Sequence, residues 1–225
     1  MEPPPEFPPK DFCTWGLGYD STSDDYKILK IDRKLRSEIL ALKSGSWRLM
    51  DRHPTSVYPV LSGMDSMAFV NGAFHWLGSS LSYSVVSFSI SNEVYGEIPL
   101  SEEMCLIFNL RYIKRGVTLL GEMLCGYSTF SEGKGTFKLW VMKDYGVKES
   151  WNQVFTVQGT GLYSIIPKYG FEDDKVLLLC KSSEPSSSVL KTSKGPFGLR
   201  HLCDDTFQGG FVYTDSFISL KLLIS

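Results

Sequence analysis

Turns flanked by alternating strands recur about every fifty residues, and this spacing constrains the fold most. The segment "MAFVNGAFHWLG" (67–78) places Asn-Gly between two apolar runs, a strong hairpin signal because both residues tolerate positive φ. The segments "VTLLGEMLCGY" (117–127) and "YGFEDDKVLLLC" (169–180) repeat the plan. Asn71 and Gly121 are 50 residues apart, and the third turn follows after a similar interval. The pattern predicts a repeated, all-β architecture.

A second unit accompanies each hairpin and consists of a strand, a polar turn and an aromatic residue. It occurs at 38–50, 85–100 and 137–155. The aromatic residues of the three units are Trp47, Tyr95 and Trp151. A period near fifty with about four strands is typical of a β-propeller blade of the kelch size class. The sequence therefore predicts a propeller-like stack of antiparallel β-blades.

The number of repeats predicts an incomplete ring. Three repeats are clear and the last is partial, because 181–198 is rich in Ser, Pro and Gly and is predicted to be a long exposed loop. The strand pattern resumes at 211–223. An unclosed ring exposes strand edges and apolar faces, so we expect the isolated chain to be poorly soluble, oligomeric or dependent on a partner.

Composition excludes several classes of partner. The net charge of −2 gives no field that would attract nucleic acid or an anionic membrane. No signal peptide or apolar run of about 18 residues is visible. The five cysteines are not closely spaced, and Cys125 and Cys180 end apolar strands, which is typical of buried free thiols. We expect a cytoplasmic or nuclear protein without a cofactor.

The acidic segment "WGLGYDSTSDDYKILKI" (15–31) raises the question of a metal site. Asp20, Asp24 and Asp25 lack the central glycine and the distant glutamate of a calcium loop. Asp and Ser can instead hydrogen-bond to nearby backbone groups and close a turn before "YKILKI". The segment is therefore predicted to be a structural corner, and we expect no metal ligand in the chain.

No catalytic constellation is evident either. His75 in "GAFHWLG" is predicted to be a core or inter-blade histidine with a satisfied hydrogen bond, and His53 is predicted to lie in a loop. His201 and Cys203 are two residues apart, as ordinary neighbours on a strand are. The chain has no nucleophile elbow, zinc-protease motif or phosphate loop. We expect no catalytic residue; a hydrolase using His75 or His201 stays a remote alternative.

Binding residues of a propeller are expected on loops at one rim, whereas strand aromatics fill the blades. Candidate segments are 52–66, 100–110 and 157–164, with Tyr58, Phe108 and Tyr163 as possible anchors. No single partner-binding residue can be chosen among them. The packing tryptophans, predicted to occupy equivalent strand positions, are Trp47, Trp76, Trp140 and Trp151. A small-molecule or glycan-binding module is the alternative to a protein-binding one.

The segment "GLGYDSTSDDYKILKI" resembles the opening signature of the plant F-box-associated domain. The resemblance continues in order through "LALKSGSWRLM", "FVNGAFHWLG", "VVSFSISNEVYGEIPL", "LWVMKDYGVKESWNQVFTV" and "YTDSFISL". It implies a β-propeller-like interaction domain at 15–225, preceded by a Pro-rich segment at 1–14. It also implies a substrate-recognition role in a Skp–cullin–F-box ubiquitin ligase.

In that family the β domain holds the protein to be ubiquitinated, and F-box helices bind the Skp-type adaptor. No leucine-rich F-box segment precedes residue 15, and the strands that normally precede "GLGYD" are not seen. We therefore expect the adaptor as a partner only where the full gene product supplies an F-box.

Overall fold

Four antiparallel sheets follow one another along the chain, each built mainly from strands that pair with their sequence neighbours. The computed structural model describes residues 13–32, 36–50, 58–59, 67–80, 82–111, 113–130, 135–158, 164–170, 175–181, 187–192 and 199–203. Side chains are described for all of these except residues 58–59, 181, 187–190 and 199–203.

The first sheet is a simple meander of four strands. Its strands are β1 (Cys13–Asp20), β2 (Asp25–Asp32), β3 (Ser37–Ala41) and β4 (Ser46–Leu49). Large residues alternate with small ones along β1, and the backbone turns tightly between Asp20 and Asp25, which pair directly. The acidic segment is thus a hairpin turn, as its Asp and Ser content predicts.

The second sheet departs from the meander at its inner edge. Its strands are β5 (Tyr58–Pro59), β6 (Ala68–Val70), β7 (Ala73–Ser79), β8 (Tyr83–Ser89) and β9 (Tyr95–Pro99). Both β5 and β6 pair with β7, at opposite ends of the same edge. Asn71 and Gly72 have φ values of 50° and 70°, so the predicted Asn-Gly hairpin is confirmed.

The third sheet follows a short helix. The elements are α1 (Glu102–Phe108), β10 (Ile113–Leu120), β11 (Met123–Phe130), β12 (Thr136–Met142) and β13 (Trp151–Gln158). A 3-10 turn at Lys148–Ser150 precedes β13. Gly121 has a φ of 61° in the turn between β10 and β11, which is the second predicted hairpin.

The fourth sheet corrects one sequence prediction. Its strands are β14 (Ser164–Gly170), β15 (Val176–Lys181), β16 (Ser187–Thr192) and β17 (Leu199–Cys203). The prediction of a long loop across 181–198 is wrong, since β16 lies within it and pairs with both neighbours. Backbone hydrogen bonds form whatever the side chains are, so a serine-rich strand is tolerated between β15 and β17. The strand predicted at 211–223 lies outside the described residues.

Neighbouring sheets pack face to face and enclose three apolar clusters. Leu29 and Phe88 belong to the cluster between the first and second sheets, and Val85 and Trp140 to that between the second and third. Leu139 and Leu178 belong to the cluster between the third and fourth. The first strands adjoin one another, with β6 touching β1 and β10, and β10 touching β14. The sheets are therefore the blades of an unclosed β-propeller, as predicted.

The tryptophans pack less uniformly than predicted. The aromatic residues of the second unit are equivalent, since Trp47, Tyr95 and Trp151 all lie on the last strand of their sheets. Trp76 lies on β7 and Trp140 on β12, neither of which is the last strand of its sheet. The expectation that all four tryptophans are equivalent is therefore wrong. Trp47 also differs in being 46% exposed, whereas the other three are buried.

Candidate interaction surface

The meander topology gives the stack two rims of different character. Successive turns of an antiparallel sheet alternate between its ends, so the first and third turns of every sheet lie at one end. We call these turns the hairpin rim: 21–24, 42–45, 71–72, 90–94, 121–122 and 143–150. The described connection between the second and third sheets, which contains α1, lies at the opposite end, and we call this end the crossover rim.

Asp20 organises the hairpin rim within the first sheet. Its carboxylate accepts hydrogen bonds from the Thr22 amide at 3.0 Å, the Ser23 hydroxyl at 2.7 Å and the Lys27 ammonium at 2.7 Å. Asp25 similarly accepts from the Lys43 amide at 3.1 Å. These contacts are those of a turn-closing residue, so the predicted structural corner is confirmed.

The same carboxylate also joins the first sheet to the second. The Ser91 hydroxyl donates to Asp20 at 2.7 Å, and Arg48 forms an ion pair with Glu93. Burial opposes ionisation of Asp20, which is only 2% exposed, but the hydrogen bonds, led by that of Lys27, outweigh it and hold its pKa well below the usual range. A permanently charged group therefore fixes this junction.

A different pair joins the second and third sheets at the hairpin rim. The Nε2 atom of His75 lies 2.6 Å from the hydroxyl of Tyr145, which belongs to the turn between β12 and β13. His75 is fully buried, and burial lowers its pKa to about 4, so the ring is neutral near pH 7. The predicted inter-blade histidine with a hydrogen-bond partner is confirmed.

Of the candidate binding segments, 100–110 lies on the crossover rim, whereas most of 52–66 and of 157–164 lies outside the described residues. Segments 52–66, 100–110 and 157–164 each lead from the last strand of one sheet to the first strand of the next. The side chains of Tyr58 and Tyr163 lie outside the described part of the chain, so the hypotheses about these two anchors remain predictions.

Phe108 is not an exposed anchor, and this prediction is wrong. It lies at the end of α1 with 0% exposure, and together with Met104 it packs between the second and third sheets. The helix was missed as such, and its 3.6-residue period places Met104 and Phe108 on one face. Leu106 on the other side of α1 is 74% exposed, and Leu110 just beyond is 49% exposed. A helix assigned to this segment in the sequence would have placed Leu106 and Leu110 on the side opposite Met104 and Phe108.

Helix α1 is held firmly although it is short. The hydroxyl of Ser101 accepts a hydrogen bond from the Met104 amide at 3.3 Å and caps its first turn. Glu103 forms an ion pair with Lys138 of the third sheet at 2.8 Å. The indole of Trp151 donates to the carbonyl of Pro99, just before the helix, at 3.1 Å. The exposed leucines therefore sit on a fixed support.

The remaining candidate residues for metal binding or nucleophilic catalysis are the cysteines and the other histidines. No group of three or more potential metal ligands occurs among the residues that the model describes. Burial raises the pKa values of Cys125 and Cys180 to about 12, so both predicted buried thiols are confirmed and both are protonated. His201 and Cys203 lie on β17 but their side chains are undescribed, and His53 lies outside the described ranges. Within those ranges, no helix could span a membrane.

Comparison with known proteins agrees with this architecture. The chain is 24% identical over 188 residues to an F-box/kelch-repeat protein of Arabidopsis thaliana, covering 74% of this chain and 45% of that protein. It is 27% identical over 174 residues to F-box protein CPR1 of the same plant, covering 66% of this chain and 41% of that protein. The chain thus spans less than half the length of these relatives.

A family model agrees over most of the chain. The model described as the F-box associated beta propeller domain matches residues 3–195, which include all strands from β1 to β16. Three features reported above fit this match, namely the hairpin repeat, the four face-to-face sheets and the unclosed ring. The chain belongs to the F-box-associated β-propeller domain family.

Proposed function

We propose that the chain is the target-recognition part of a Skp–cullin–F-box ubiquitin ligase component and that it binds a protein target at the crossover rim. Family membership supports a protein-interaction role, because the relatives named above are F-box proteins. The catalytic step of ubiquitination would belong to other proteins, and this chain acts without enzymatic residues or a cofactor in a cytoplasmic or nuclear setting.

The observation that carries the position of the target site is the exposure of Leu106 on a fixed helix. Single exposed leucines are ordinary, but this one is 74% exposed and Leu110 follows it one turn later. Met104 and Phe108 anchor the same helix in the core. Rigid apolar side chains bind with little loss of conformational entropy, so α1 suits a protein partner better than a mobile loop does.

Charged groups border these leucines and would set the register of a partner. Glu102, Glu103 and Arg111 are exposed around Leu106 and Leu110. The Glu103–Lys138 pair lies at the base of the helix, where Lys138 is also 5.8 Å from the centre of the Trp140 ring. An apolar centre with a charged border is the usual anatomy of a protein interface.

Proximity labelling in plant cells tests the proposal. The chain, fused to a biotin ligase, is compared as wild type, Leu106→Asp and Val147→Asp; Val147 is 45% exposed on the hairpin rim and serves as the matched control. We expect a set of labelled proteins shared by wild type and Val147→Asp and lost with Leu106→Asp. An unchanged set in all three would remove the crossover rim from consideration.

The ligase role needs a separate measurement. Joining the F-box segment of a relative to this chain should permit ubiquitination of the labelled target in a reconstituted reaction, and Leu106→Asp should abolish it. A target that binds through Leu106 but is never ubiquitinated would leave the binding site standing and overturn the ligase role. The adaptor itself is expected to bind only through the F-box.

A further inference from the structure

The first sheet presents an apolar face to solvent on the side away from the second sheet. Directly paired residues share a face, and one row across β1 to β4 is entirely apolar. This row consists of Leu17, Ile28, Leu40 and Trp47. Leu17 is 58% exposed and Trp47 is 46% exposed. We call this side of the sheet the outer face.

The distribution of side-chain size along β1 shows that the outer face is built for packing. Gly16 and Gly18 point towards the second sheet, where the rings of Phe74 and Phe69 fill the space beside them. The large neighbours Leu17 and Tyr19 point outward. A strand with one solvated face normally places its large apolar residues inward, so this inversion marks a face that is meant to be covered.

Two charged residues lie beside the apolar row, and they are complementary to their own copy. Lys30 and Glu38 are paired across β2 and β3, with their ammonium and carboxylate 2.9 Å apart. Their side chains are 24% and 39% exposed, so both remain accessible from the outer face. A two-fold axis through this pair would place each charge against the opposite charge of a second molecule.

We infer that the outer face of the first sheet binds the outer face of a second copy of this chain, with Lys30 of each copy against Glu38 of the other. The two sheets pack face to face, as consecutive blades do within the chain. The four charges then alternate around the two-fold axis, and the apolar rows enclose Trp47 of both copies. This surface lies apart from the crossover rim, so the inference does not depend on the proposed target site.

The size of the outer face determines how much area a dimer could bury. With strands about 4.8 Å apart and alternate residues about 6.8 Å apart, a four-strand face three residues deep has a flat footprint of about 400 Å². Counting the relief of the side chains on both copies, the pair would bury about 1,200 Å², the lower end for specific complexes. Because interfaces of similar area differ widely in affinity, we expect only a reversible dimer that forms below about 100 µM.

Charge reversal on the full 225-residue chain tests this arrangement by analytical ultracentrifugation. Lys30→Glu places carboxylates against carboxylates, and Glu38→Lys places ammonium groups against ammonium groups, so each variant alone should be monomeric at concentrations where wild type is dimeric. Mixing the two variants restores both opposite-charge contacts, and a heterodimer should form. Misfolding of either variant could not produce this recovery.

A matched pair of apolar substitutions completes the test. Leu17→Lys on the outer face, where the leucine is 58% exposed, should raise the dimer Kd at least tenfold, whereas Leu106→Lys on α1, where the leucine is 74% exposed, should leave it unchanged. Three results would overturn the inference. They are a wild type that stays monomeric at about 100 µM, assemblies that keep growing beyond two copies, and mixed variants that do not associate. A monomer with Trp47 shielded from quenchers would instead assign the face to another part of the same chain.

Discussion

The first and third sheets follow the same plan of two hairpins but differ in how their faces are covered. In the third sheet, Trp140 packs towards the second sheet and Leu139 towards the fourth, and both are buried. In the first sheet, Leu29 is buried against the second sheet while Leu17 is exposed on the other side. Similar strands thus have different burial because their neighbours differ. Blade position, rather than blade sequence, decides which apolar residues contribute to stability.

The largest expected effect separates two leucines of these sheets. Leu139→Ala removes a side chain with 0% exposure and should lower the free energy of unfolding by about 4 kcal/mol, because a cavity remains. Leu17→Ala in the first sheet should change it by less than about 0.5 kcal/mol in dilute solution. Urea denaturation of both variants checks the difference. Equal losses would show that the outer face is covered in the monomer.

Next in size is the polar junction of the first and second sheets. Asp20→Ala removes the carboxylate that Lys27 and Ser91 bind and leaves Lys27 only the Ile90 carbonyl, at 3.4 Å. It should cost about 3 kcal/mol, because breaking a buried ion pair leaves an uncompensated charge. Asp24→Asn, in the same turn, removes an exposed ion pair with Lys43 but keeps a residue type that tolerates its φ of 49°, so its effect should be much smaller. Thermal unfolding of the two variants provides the comparison. A small loss for Asp20→Ala would mean that apolar contacts alone hold this junction.

Acid should weaken the second junction before the first. His75 has a pKa of about 4 in the folded chain against a reference of 6.5, so the unfolded state binds more protons in between and stability falls as pH falls. From pH 7 to pH 4.5 the loss should be about 2 kcal/mol. His75→Gln should remove this dependence, as denaturant titrations at several pH values would show.

Asp20 provides the contrast for the acid experiment. Its pKa is lowered on folding, so its contribution is present above the reference value of 3.8 and is lost only as pH falls below it. Asp20→Ala should therefore leave the slope between pH 7 and pH 4.5 as it is in the wild type. A flattened slope in this variant, or a normal slope in His75→Gln, would assign the acid response to other groups.

The smallest effect concerns glycines at close contacts in the two sheets. A Cβ atom at Gly16 would lie 2.5 Å from Cδ1 of the buried Phe74 ring, which cannot easily move, so Gly16→Ala should cost about 1.5 kcal/mol. At Gly126 the nearest atom is the terminal methyl of Met104, also at 2.5 Å, but this flexible end can rotate away. Gly126→Ala should therefore cost less. Differential scanning calorimetry would resolve the order.

Much of the fold was predictable from the sequence because local signals decide it. The Asn71–Gly72 turn and the aromatic residue on the last strand of a sheet are short-range patterns. The fifty-residue spacing follows from the repetition of such patterns along the chain. Strand β16 was not predicted because Ser, Pro and Gly dominate the sequence around it. Backbone pairing with β15 outweighs the weak strand propensity of these residues. The sequence also predicted open faces, although which face of β1 is exposed depends on the packing of Phe74 and Phe69 from the second sheet.

The candidate site was less predictable. Of its three predicted segments, only 100–110 lies almost wholly within the described residues, and it contains α1. Phe108 was chosen for its aromatic ring, yet the helical phase of α1 turns that ring inward and Leu106 outward. A seven-residue helix offers too few periods for a clear hydrophobic pattern. Contacts between sheets, such as that of His75 with Tyr145, depend on residues 70 positions apart and have no local signal.

The protonated, buried thiols of Cys125 and Cys180 can report how often the third and fourth sheets separate. Both lie in the cluster between the third and fourth sheets, with 0% exposure. Cys13 and Cys105 are partly exposed and can react without such opening, whereas an alkylating reagent can reach Cys125 and Cys180 only when these two blades separate. Where alkylation is faster than reclosure, the modification rate of these two thiols equals the frequency of separation. Separation of the third and fourth sheets is therefore recorded by thiols that the chain already carries.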